Sequence, residues 1–211
     1  MLKLLLLFLI ISPIRAVLGQ TFEGKITYQI SCKSNLKDYS DEEVCAGAPS
    51  TQEYFIKNGN YKFLFSDSSD YQWMLYNNKE NKIYTKTSWT DTIYWRDPTK
   101  DIDTVLEVKS NKKVINILGL LCDEVIFICK EQIHKFYYNP QISVDKDFFI
   151  NHKYGNLYDF YKISNSLVLK EIIEYKYFTL ESVAIEIRQM EVSEDAFKFP
   201  STFVTSENPY W

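Results

Sequence analysis

The sequence predicts a mainly β protein, a curved antiparallel sheet (a half-barrel) with a short helical plug. Three observations predict it. The chain holds 16 Tyr and 14 Phe among 211 residues, with frequent Ile and Val and little Ala, a composition that suits pleated, half-buried strands. Apolar and polar residues alternate in short runs that end on Asn, Gly, Pro or Asp. One segment alone carries a good helix start.

Taken in order, the first strand reads over residues 22–30, with Phe22, Ile26, Tyr28 and Ile30 on its core face. Residues 31–50 are polar and read as a loop. Strands at 52–57 and 61–65 flank Asn58-Gly59-Asn60, an Asn-Gly hairpin turn. Strands at 71–76 and 82–86 form the next pair, and 90–95 follows, closed by Asp97-Pro98. A charged linker leads to strands at 114–118, 121–130 and 133–138, with Asn139-Pro140 ending the last. Ser143 or Asp145 caps a short helix over 146–152, with Gly155 near its stop. Residues 167–175 and 178–188 make a long C-terminal hairpin, and a tail with Phe197 and Phe199 follows. This makes about ten strands and one helix, a pattern of sheet or open barrel rather than of an α/β enzyme.

Residues 1–19 have the order of a cleavable signal peptide: Lys3, an apolar run from Leu4 to Ile11, Pro13, then Val17-Leu18-Gly19 ahead of Gln20. The apolar run is shorter than the ~20 residues a spanning helix needs. Position 20 is Gln, where a bacterial lipoprotein would carry an acylated cysteine. The expectation is a single domain over 20–211 that is periplasmic or secreted, with no integral membrane span after cleavage.

The net charge is −4, and Lys3 and Arg15 both fall in the leader, so the remainder is more acidic still. That argues against nucleic acid and anionic membrane surfaces as partners. Of the four cysteines, Cys32 and Cys45 flank a polar stretch and are the disulfide candidate. A bridge there closes a loop worth about 3 kcal/mol on the chain-entropy model. Cys122 and Cys129 share one strand at an odd separation, so they lie on opposite faces about 23 Å apart. They are expected to be buried free thiols or to pair across strands.

Motifs for catalysis are missing. His134 and His152 sit in different elements, without a second histidine at metal-ligand spacing. No nucleophile elbow, zinc-protease helix or phosphate-cradling loop occurs. Asp145 and Asp147 read as helix-start acids, and Glu194 and Asp195 as an exposed turn. No catalytic residue, metal site or cofactor is expected.

What the strands supply is aromatic surface. Tyr54, Phe63, Phe65, Trp73, Tyr84, Trp95, Phe136 and Tyr138 come from successive strands. Each could fill a core. Together, on a curved sheet with one short helix to plug it, they are the candidate lining of a hydrophobic cavity. An acyl chain of about 16 carbons would gain roughly 12 kcal/mol there before ordering costs. The alternative is a surface module that binds glycan or protein through Trp73, Trp89 or Trp95 on the convex face.

Several segments resemble secreted Gram-negative bacterial proteins of unknown function related to the LolA/LolB-like lipoprotein-carrier fold. They are Phe22-Glu-Gly-Lys-Ile-Thr-Tyr28, Ile117-Leu-Gly-Leu-Leu-Cys122-Asp-Glu, Tyr137-Tyr-Asn-Pro140 and Asn151-His-Lys-Tyr-Gly155-Asn. The last runs from Leu167-Val-Leu-Lys170 through Phe178-Thr-Leu-Glu-Ser-Val183 to Phe197-Lys-Phe-Pro200, with Val168 where that ending usually has proline. The resemblance implies a half-barrel over a helical plug, a hydrophobic cavity, and a lipid or acylated protein as partner. It does not carry over the carriers' lid arginine, because Arg96 and Arg188 lie outside the matching segments.

Overall fold

The computed structural model describes residues 21–66, 69–100 and 103–209. The leader and Gln20 lie outside the described residues.

The expected curved sheet is present. The first meander comprises β1 (Gly24–Ser34), β2 (Thr51–Lys57), β3 (Asn60–Phe65), β4 (Tyr71–Asn77), β5 (Lys82–Thr87) and β6 (Ile93–Arg96). A short helix, α1 (Asp41–Val44), lies between β1 and β2. The second meander comprises β7 (Val105–Ile117), β8 (Leu120–Cys129) and β9 (Ile133–Ser143), then β10 (Ser166–Glu174) and β11 (Phe178–Gln189). Between β9 and β10 lie 3-10 turns at Lys146–Phe149 and Tyr154–Asn156 and the helix α2 (Leu157–Ser164). A tail with a 3-10 turn at Glu194–Phe197 ends in β12 (Thr205–Glu207).

β1 pairs with both β2 and β11 and joins the two meanders into one sheet, ordered β12-β6-β5-β4-β3-β2-β1-β11-β10-β9-β8-β7. The curvature follows from connectivity. β6 and β7 are adjacent in sequence, yet β6 stands second from one end of that order and β7 at the other end, ten steps apart. Flat, those steps would span about 48 Å. The chain from Arg96 to Val105 reaches about 31 Å at most. The sheet must therefore curl until its ends approach, and the plug segment sits in the resulting hollow.

Four expectations are corrected. The sheet is mixed, because β12 runs parallel to β6. The charged linker is the first part of β7. Most of this end strand is exposed on both faces, so no alternation marks it, and Lys109, Lys112 and Lys113 sit on the unpaired edge. β9 continues through Pro140, which falls where the β9–β10 register is irregular and no regular ladder hydrogen bond is lost. The helix is displaced: Asp145 caps only a 3-10 turn, and Gly155 (φ +64°) precedes α2 instead of ending a helix.

Helix α2 buries Phe160, Tyr161 and Ser164 on one face, and Asn165 (φ +46°) ends it with a hydrogen bond from its N–H to Tyr161 O. Phe160 stacks on Phe136 at 4.7 Å between ring centroids, and Phe149 packs against Tyr161 at 4.8 Å. These rings join the inward residues Ile26, Tyr28, Tyr54, Ile56 and Tyr61 in the main core. The Asn58-Gly59 turn forms as expected, with both residues at positive φ.

The sheet is also covered on its convex side. The tail residues Val192 and Phe197 form a second core with Leu75, Tyr84 and Ile93, against which Phe199 and Phe203 pack. Lys57 Nζ donates to Val192 O at 2.8 Å, and Val192 N–H donates to Glu23 Oε1 at 2.7 Å. Cys32 and Cys45 are disulfide-bonded with Cα atoms 5.8 Å apart, and Cys122 and Cys129 are buried thiols outside that bridge.

Candidate functional site

Between the concave face and the plug lies a two-lobed hollow. One lobe of about 520 Å³ is walled by Ile30 and Cys32 on β1, by residues 44–49 after α1, and by Phe63, Phe65, Phe178 and Leu180. The other, of about 450 Å³, is walled by Tyr28, Tyr54, Tyr61, His134 and Phe136 from the sheet, and by His152, Leu157 and Tyr161 from the plug. Gln52, Phe63, Met74, Tyr154, Glu171, Ile173 and Ser182 line both lobes, so the two are continuous.

Strand alternation places these groups. On β10, Leu167, Leu169, Glu171 and Ile173 point to the concave side; Leu169 is covered by core, and Leu167, Glu171 and Ile173 line the hollow. Glu171 makes no hydrogen bond among the described residues. Its side chain keeps 29% exposure, directed into the hollow it lines. Burial raises its carboxyl to about 7. His134 Nδ1 lies 3.6 Å from Glu171 Oε1. Among the described residues neither ring nitrogen of His134 has a hydrogen-bond partner, and burial lowers the imidazole to about 4. The contact is therefore not an ion pair at neutral pH: the histidine is uncharged, and the carboxyl is near its own midpoint.

The tyrosines around them are largely committed. Tyr28 Oη donates to Val168 O at 2.6 Å. Tyr61 Oη shares a 2.7 Å hydrogen bond with His152 Nε2, whose imidazole is also held down to about 4 by burial. Burial pushes the phenols of Tyr54 and Tyr161 upward. Arg96 lines only the first lobe, where its guanidinium sits 4.6 Å from the Tyr154 ring centre.

The eight candidate lining residues divide. Tyr54, Phe63 and Phe136 line the second lobe, and Phe63 and Phe65 the first. Tyr138 is core beneath them, edge-on to Phe160 at 5.7 Å. Trp73, Tyr84 and Trp95 are on the opposite face, under the tail, with Phe199 stacked on Trp73 at 5.7 Å. They belong to a convex cluster, because β4, β5 and β6 are buried on both sides and aromatics of either parity are packed. This also removes a flat patch built on Trp73 and Trp95, while Trp89 is exposed. Sequence reasoning missed Glu171, which carries a legible signal: a carboxylate at an inward position of an otherwise apolar alternation. His134, read as structural, lines the hollow with both nitrogens unpartnered.

No family model and no curated protein matches the chain. Among solved structures it is similar to PNGF-II in two crystal forms. The first has a TM-score of 0.50, 12% identity, and covers 89% of this chain and 32% of that one. The second has a TM-score of 0.49 with 13% identity. This chain thus spans about a third of PNGF-II, and the likeness is one of fold. LprF from Mycobacterium bovis is a more distant neighbour, with a TM-score of 0.32 and 9% identity over 80% of this chain and 89% of that one.

Proposed function

We propose that this protein binds a hydrophobic ligand, such as a lipid or an acyl chain, in the hollow between sheet and plug, and that it acts as an exported, diffusing carrier or receptor rather than as an enzyme. The observation that carries this reading is the hollow itself. Its lobes of about 520 and 450 Å³ fall in the range of small-molecule sites, about 300–1,000 Å³. Aromatic and aliphatic side chains dominate the walls, and each methylene moved there from water contributes about 0.8 kcal/mol.

The His134–Glu171 contact fits binding better than nucleophilic catalysis. A nucleophile would have to be hydrogen-bonded to the imidazole, and both imidazole nitrogens are without such a partner. Export rests on the leader of residues 1–19, and a mature N-terminus at Gln20 checks it.

The test of binding is native mass spectrometry after detergent-free purification, with titration of the neutral apolar dye N-phenyl-1-naphthylamine. Met74 lines both lobes, so Met74→Trp places a large side chain where they meet. The wild type should retain a lipid-sized adduct or bind the dye, and Met74→Trp should weaken dye binding at least tenfold with an unchanged far-UV spectrum. A wild type that carries no adduct and binds no dye overturns the proposal.

A further inference from the structure

Resting on that reading, we propose that the second lobe selects a hydrophobic ligand with a cationic amine head, with the Glu171 carboxylate as its counter-ion and His134 as a second acceptor. Among the described residues, the one carboxylate that lines the lobe is Glu171, set among neutral polar and apolar groups. The hydroxyls of Tyr28 and Tyr61 are engaged by Val168 O and His152. The Glu171 carboxyl and the two nitrogens of His134, a residue 3% exposed, have no hydrogen-bond partner among the described residues, and Gln52, Gln132 and Ser182 add neutral polar groups to the wall. A neutral imidazole presents one acceptor nitrogen, and an ammonium presents three donors.

Charge points the same way. Among the described residues no lysine lines either lobe, and Arg96 lines only the first. An anionic head in the second lobe would therefore meet a carboxylate and no cation. A cationic head meets that carboxylate and the faces of Tyr61, Phe63 and Phe136, which attract positive charge. The ligand's apolar body then extends through the shared wall of Phe63, Met74 and Ile173 into the first lobe.

The pH dependence follows from the groups that face Glu171. His134 on β9 is neutral above about pH 4. Tyr28 on β1, Tyr161 on α2 and Tyr175 after β10 are all pushed above the ordinary phenol range, so they stay protonated. In the first lobe, Arg96 is cationic, and Glu181 is ion-paired with Lys170 at 3.1 Å. Asp70 also faces that lobe. Glu171 changes charge near neutrality, so amine affinity rises as pH increases through about 7.

The experiment is displacement of N-phenyl-1-naphthylamine by dodecylamine, dodecanol and dodecanoate, each below its micellar concentration, at pH 5.5 and 8. Dodecylamine should bind roughly tenfold or more tightly than dodecanol at pH 8, since one charged hydrogen bond is worth that much. The preference should shrink at pH 5.5. Glu171→Gln should abolish the preference, read as the ratio of amine to dodecanol affinity within that variant, and His134→Gln should reduce it. If the amine shows no advantage, or keeps it in Glu171→Gln, the charge assignment is overturned while dodecanol binding still supports a hydrophobic site. If none of the three displaces the dye, the reading beneath it falls as well.

Discussion

Acidification should destabilise this protein through its histidines, and Glu171 should oppose it. The chain holds two histidines, His134 and His152, at 3% and 1% exposure. Burial lowers both from 6.5 to about 4. Between those values the unfolded chain takes up protons that the folded chain refuses, so stability falls as pH drops from 6.5 towards 4 and is unaffected above. From pH 7.5 to 5, each histidine costs about 2 kcal/mol. Glu171 acts in the opposite sense. Its folded value is raised from 4.5 to about 7, so in that window the folded chain holds a proton that the unfolded chain lacks. Over the same pH drop it returns at most about 2 kcal/mol, an upper value because the side chain retains some exposure to the hollow. These three groups together should cost the wild type about 2 kcal/mol, Glu171→Gln about 4, and His152→Gln close to zero. Glutamine at 152 keeps an acceptor for the Tyr61 hydroxyl. The assay is urea unfolding at pH 7.5 and 5, with unchanged m-values, alongside NMR titration of the two imidazole rings. A ring that titrates near 6.5, or a His152→Gln variant with the wild-type pH difference, would refute the reasoning.

Two further outcomes are expected. Replacing Cys32 and Cys45 by serine should lower stability by about 3 kcal/mol and weaken dye binding, since both line the first lobe; an unmoved urea midpoint would count against it. Gly59→Ala should cost more than Gly155→Ala. Both glycines have positive φ, which alone costs about 1 kcal/mol, but a Cβ at 59 would lie 2.4 Å from the Phe148 Cβ, while at 155 nothing stands within 4 Å. Equal losses in thermal unfolding would show that the Phe148 contact yields freely.

What the sequence made legible was local. The 52–65 hairpin is marked by Asn58-Gly59, the C-terminal hairpin by long apolar alternation, and the disulfide by a short polar span. What escaped depended on neighbours distant in sequence. Trp73 and Trp95 have the same alternation as a cavity-facing residue, and only the tail, a hundred residues later, decides that their side is packed. β7 carries little alternation because neither of its faces is packed along most of its length. Glu171 was readable as an inward carboxylate, but its proximity to His134 required the β9–β10 register, in which Ile173 pairs with His134 and Glu171 with Phe136.

The hollow exists because the plug is too short for the face it covers. Its rings are spent at two places: Phe160 against Phe136 and Tyr138, and Phe149 against Tyr61 and Tyr76. Beyond Tyr154 the plug supplies nothing to meet Phe63, Phe65, Phe178 and Leu180, and that gap is the first lobe. Its remaining wall is the segment from Val44 to Pro49, which reaches the sheet because Cys45 is tied to Cys32 on β1. The capping box of Ser40 and Glu43 sets the helix that delivers Cys45 to that position. The disulfide is thus a structural part of the site as well as a restraint on the unfolded chain. A cavity completed in this way is whole only where thiols are oxidised, which is the kind of compartment that the proposed export would reach.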